Sequence, residues 1–232
     1  ATIDETTTPF GGAFTNCSLV SGSILLNTGQ TQGVYLFEFD LDLGAKYQTK
    51  FSTFLELQRF DRSNLFDSAG SLFDSRDGLF DGDTADFDDI NVSVQLRHTD
   101  DNPTQDPTWS DWREFTTTEI AARAFEFRAV LNSDNDNVSP QINDLKVIAD
   151  MPDRVVAESD ISSGTSSYAV TFSPAFKALQ GISISASNLG SGDYYEITSK
   201  SVSGFTITFK NSSDTVVDRT FDYVARGYGE II

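Results

Sequence analysis

At 232 residues with 35 acidic and 16 basic side chains, the chain carries a formal net charge of −19. That balance excludes a nucleic-acid surface, which needs clustered Lys and Arg, and anionic membranes would repel the chain. No apolar run reaches the ~18 residues of a spanning helix, so no membrane insertion is expected, and the single cysteine, Cys17, leaves no partner for an internal disulfide.

Residues 1–19 begin at Ala1 without an initiator Met and are expected to be a lead-in from a larger protein. Val34 to Phe39 is a near-continuous apolar run of the kind a central strand shows. In Tyr47 to Leu57, Tyr47, Thr49, Phe51, Thr53, Leu55 and Leu57 alternate with Gln48, Lys50, Ser52 and Glu56, a period of two that predicts a strand with one buried face.

Between Leu65 and Asp89 the chain writes Phe-Asp four times at a step of seven: Phe66-Asp67, Phe73-Asp74, Phe80-Asp81 and Phe87-Asp88. A disordered linker would lack the Phe and Leu, and a buried strand would lack the Asp. The segment 61–89 therefore reads as an ordered acidic surface loop. Its aspartates form Asx-turns and solvated charge, supply oxygens to calcium, with Asp67, Asp74, Asp81, Asp83 and Asp88 as ligands, or meet a basic partner. The spacing matches neither an EF-hand loop nor the repeat of calcium-binding β-rolls.

Ile90, Val92, Val94 and Leu96 resume the alternation, and Phe125, Phe127, Ala129 and Leu131 and then Leu145, Val147 and Ala149 continue it. Between them, Thr116-Thr117-Thr118-Glu119 has capping-box spacing and predicts a short helical turn over Ile120 to Ala124. Met151-Pro152-Asp153 reads as a junction, since Pro does not continue a central strand. Charge also changes there: residues 1–154 hold 27 acidic and 11 basic side chains, the remainder 8 and 5. Beyond the junction, Tyr168–Phe172, Ile182–Ala186, Tyr195–Ile197, Phe205–Phe209 and Val217–Ala225 alternate, separated by Gly-Ser and Asn-Ser clusters. Strands at that spacing predict a small antiparallel sandwich.

The second part resembles a known ending. Tyr168 to Phe176, Gly192-Asp193-Tyr194-Tyr195-Glu196-Ile197-Thr198, Gly204 to Phe209 and Arg219 to Gly229 are similar to the C-terminal domain of tail-tip host-specificity proteins, the central fibre proteins of lambda-like long-tailed bacteriophages. That ending is also similar to H-type lectin domains, although Tyr223 stands where Trp is usual before the final Ala-x-Gly. In the first part, Leu72 to Gly82, Trp112-Arg113-Glu114-Phe115, Ala122 to Arg128 and Leu145 to Asp150 resemble a discoidin-like module of the same proteins. The resemblance implies two consecutive antiparallel, jelly-roll-like β-sandwiches, residues 20–153 and 154–232, in an all-β chain. It also implies a homotrimer, contact with other phage tail-tip proteins, a place at the virion tail tip, and attachment without catalysis to a host glycan or outer-membrane protein. The alternative is a carbohydrate-binding module or lectin of a secreted protein.

Candidate binding residues are aromatic. Trp109 and Trp112 flank Ser110-Asp111 and either stack on sugar faces or anchor the core and cover a loop. Tyr194 and Tyr195 point to opposite faces of a strand, so one faces outward; Tyr223 and Tyr228 pose the same choice. His98, the one histidine, is expected as an exposed strand-end residue rather than a catalytic base. No sugar-binding residue is carried over from the lectins, because their motifs do not align here position by position.

Overall fold

The computed structural model describes residues 2–7, 9–62, 88–115 and 119–232, and these form an all-β protein of antiparallel sheets. Two compact units emerge: one from Ala1–Gly44, Phe51–Thr118 and Ala122–Asp150, the other from Ala45–Lys50, Glu119–Ala121 and Met151–Ile232.

Ten strands share the first sheet: β1 (Thr2–Asp4), β2 (Ala13–Thr15), β3 (Cys17–Val20), β4 (Ser23–Leu26), β5 (Gln32–Leu36), β6 (Leu41–Asp61), β7 (Ile90–Thr99), β8 (Arg113–Glu114), β9 (Glu119–Ser133) and β10 (Val138–Asp150). The path runs β2-β5-β9-β6-β10-β4-β3, with β1 on β10, β7 on β9 and β8 on β7. β9 is central: Arg128–Asn132 pairs with β5 and also with β7. Ala129, Val130 and Leu131 are all buried, and since successive strand residues point to opposite faces, this stretch of β9 is covered on both. Around it Phe51 packs edge-on against Phe125 (centroids 4.6 Å) and Phe127 (5.5 Å), an arrangement that suits the aromatic quadrupole.

One expectation is corrected. The helical turn over Ile120–Ala124 is strand instead: Ile120, Ala122 and Ala124 are buried at alternate positions, and cross-strand pairing overrides the capping-box signal. Thr116–Thr118 lie outside the described residues. Residues 1–19 contribute strands to the first sheet, with β1 on β10, β2 on β5 and β3 on β4. Glu5 holds this edge. Its carboxylate is 1% exposed, accepts the Tyr35 hydroxyl (2.5 Å) and the Glu38 N–H (3.3 Å), and Tyr35 in turn accepts the Gly12 N–H (3.2 Å).

The second unit is a sandwich of two three-stranded sheets. One is β11 (Asp153–Ser162), β16 (Thr220–Glu230) and β13 (Phe176–Ser187), in the order β11-β16-β13. The other is β12 (Tyr168–Thr171), β15 (Gly204–Lys210) and β14 (Tyr194–Ser201), in the order β12-β15-β14. Alternate residues of the two central strands, Phe205, Ile207 and Phe209 from β15 and Phe221, Tyr223 and Ala225 from β16, meet between the sheets with Phe172 and Phe176. Arg154 closes one end: its guanidinium lies over Phe176 (4.7 Å) and donates to the carbonyls of Pro174 (2.6 Å) and Ala175 (3.2 Å).

Candidate functional site

The connection from β7 to β8 folds back on its own strand. Ser110 N–H donates to the His98 carbonyl (2.9 Å), the His98 N–H donates to Ser110 Oγ (3.0 Å), and that hydroxyl lies 2.9 Å from His98 Nδ1. Asp101 accepts the Thr108 N–H (2.9 Å) and fixes the loop base. Trp109 and Trp112 are thereby held, half-buried, beside the sheet face of β7 and β9.

That face supplies cations at matching height. Arg97 lies 5.1 Å from the Trp109 ring centre and 4.8 Å from that of Trp112, and Arg128 lies 4.4 Å from Trp112. Each guanidinium is aimed by its cross-strand neighbour: Arg97 pairs with Glu126 (Nε to Oε2, 2.6 Å), and Arg128 donates twice to Gln95 Oε1 (2.8 and 2.6 Å). Burial, and then the charge of Arg97, push Arg128 below its ordinary range. Trp112 offsets this by presenting its electron-rich ring to both cations. The four side chains form a ladder. Guanidinium thereby engages ring surface of both indoles, in keeping with the reading of Trp109 and Trp112 as anchors of the loop.

His98 is also corrected. It is half-buried, with its ring stacked on Phe125 (6.4 Å, 25°), because residue 98 faces the β9 aromatics rather than solvent. The Ser110 hydroxyl beside it both takes the His98 N–H and faces the imidazole, so it clamps the loop.

Of the five aspartates considered for calcium, Asp67, Asp74, Asp81 and Asp83 lie outside the described residues, and Asp88 is exposed in a turn before β7. Among the described residues no group of three or more His, Cys, Asp or Glu is placed to hold a metal ion.

The tyrosines separate cleanly. Tyr194 and Tyr195 do point to opposite faces. Tyr194 donates its hydroxyl to Asp214, tying β14 to the turn before β16. Tyr195 lies opposite Phe209 and packs on its ring (5.6 Å), yet remains 40% exposed because β14 is an edge strand. Tyr223 is core and Tyr228 faces out. On the outer side of β11-β16-β13, Tyr228 is joined by Val155 (58% exposed), Val224 and Arg226, a face where water-loving residues are the norm. Sequence reasoning passed over Val155 and Arg226. The readable signal was the off-phase half of the β16 alternation, where Val224 and Tyr228 stand at positions that should be polar.

Comparison of the chain with family models, with curated proteins and with solved structures finds no match.

Proposed function

We propose that this chain is a non-catalytic attachment module of a long-tailed bacteriophage, a homotrimeric part of the tail-tip fibre that contacts the host surface through a glycan or an outer-membrane protein. The reading draws on the resemblance of residues 168–229 to tail-tip host-specificity proteins and on two consecutive all-β units. The observation that carries it is the outer side of β16, where Val224, Arg226 and Tyr228 stand exposed in a row beside Val155. Exposed apolar residues grouped in one place mark surfaces that another molecule covers.

The test is localisation. Antibodies raised against the chain are expected to decorate the tail tips of phage particles encoding it in electron micrographs, and to block their adsorption to cells. Label on the capsid or tail shaft, or no label on intact particles, would overturn the proposal and favour the sugar-binding module of a secreted protein.

A further inference from the structure

We infer that the outer face of the β11-β16-β13 sheet is a binding site for a neutral sugar ring, in which Arg226 donates to hydroxyls, Asp153 accepts from them, and Tyr228 and Val155 form the apolar platform. The inference rests on the attachment reading above and names its ligand class.

Register builds the site. Asp153 lies opposite Tyr228 and Val155 opposite Arg226, so these four side chains emerge from one face of two adjacent strands. Neighbours across the strands stand ~5 Å apart and successive rows along them ~7 Å apart, so the four enclose an area about the size of one pyranose ring. On the third strand the same rows hold Ala178 and Gly181. A side-chain carbon at Gly181 would meet nothing within 4 Å, so the face is open beside Arg226.

The chemistry is complementary to a sugar. Neither Arg226 nor Asp153 makes a side-chain hydrogen bond or ion pair among the described residues. The other cations of this sheet and its flanks are spent internally: Arg219 on Asp193, Arg154 on Glu230 and the carbonyls of Pro174 and Ala175, and Lys177 over the Tyr47 ring. A donor fork, a carboxylate acceptor and an aromatic face within one ring's reach match the hydroxyl edge and C–H face of a saccharide.

Charge decides against an anionic ligand. Asp153 and Asp222 share the outer face with the single Arg226, and the chain carries −19 overall. Size decides against a second copy: the exposed cluster is a handful of side chains, whereas a stable protein interface uses about 20–30 residues a side.

The site is tested by titrating the full chain with N-acetylglucosamine, methyl glucoside and glucuronate, each followed by amide shifts. The neutral sugars are expected to move Val155, Arg226 and Tyr228 saturably in the millimolar range. Arg226→Ala is expected to weaken binding at least about tenfold, Asp153→Asn to weaken it less, and neither to disturb the β15 amides that report the core. Four results overturn the site: shifts from glucuronate alone, shifts confined to Tyr195 and its neighbours, no shift from any probe, or shifts that depend on protein concentration without sugar and so indicate self-association. Tail-tip labelling with no sugar response would retain the attachment reading and remove this site. A sugar response with no labelling would do the reverse.

Discussion

Trp112 has two guanidiniums against its ring, and each contact is worth about 0.5–1 kcal/mol where partly exposed. Trp112→Ala also uncovers apolar surface of β7 and β9, so urea denaturation is expected to show a loss of about 2–3 kcal/mol. A double-mutant cycle of Trp112→Ala with Arg128→Ala isolates the pair and is expected to give about 1 kcal/mol of coupling. Additive losses would mean that the indole is merely a lid. Glu5 supports a second prediction. Burial raises its carboxyl above the ordinary value of 4.5, outweighing the Tyr35 and Glu38 hydrogen bonds that lower it. A group whose folded pKa is raised adds stability that is complete below the unfolded value and is lost as pH rises through the folded one. Glu5→Gln mimics the protonated form and keeps an acceptor for both donors, so the difference in melting temperature between variant and wild type is expected to grow as pH rises from about 4.5. Asp144 beside Lys146 titrates in the opposite sense but is common to both proteins and cancels in the difference. A flat difference would place the Glu5 charge in solvent. At this scale the sequence displays the Trp-Ser-Asp-Trp pair but hides its partners: Arg97 and Arg128 reach it from separate strands, through a register that no local pattern encodes.

Two glycines on the adjacent strands β13 and β16, one turned to the core and one to the outer face, show how strand packing discriminates. At Gly227 a side-chain carbon would sit 2.2 Å from the Ala178 carbonyl oxygen and 2.7 Å from the Phe176 ring, and the first obstacle is backbone. At Gly181 it would meet open space. Gly227→Ala is therefore expected to cost about 3 kcal/mol or more, since the sheet itself must shift, and Gly181→Ala to stay within about 0.5 kcal/mol of wild type or to stabilise slightly by restricting the unfolded chain. Thermal melts of the two variants check this, and equal losses would mean that the strands are not held as closely as described. Long strands such as β7, β9, β15 and β16 were legible because alternation repeats enough to be seen. β1, β2, β3 and β8 were not, having two to four residues each. β11 escaped for another reason: Val155 and Ala157 face outward while Val156 faces the core, so both phases are apolar and no period stands out.

Across the whole molecule the dominant quantity is charge. A homotrimer would bring three chains of −19 together, and that repulsion opposes association over the distance at which ions leave it unscreened. The screening length is about 30 Å at 0.01 M salt and about 8 Å at 0.15 M. Apolar contacts between subunits change little over that range, so the balance between them is set by ionic strength. Sedimentation velocity is therefore expected to show a particle of three times the 25.4 kDa chain at 0.15 M salt and partial dissociation at 0.01 M. Lowering the pH toward the isoelectric point near 4.1 removes the net charge and is expected to restore association at low salt. A species of single-chain mass in every condition would end the trimer proposal. A trimer indifferent to both salt and pH would mean instead that the acidic surfaces point away from the contact between subunits, leaving the uneven distribution of acids along the chain, rather than its sum, to govern assembly.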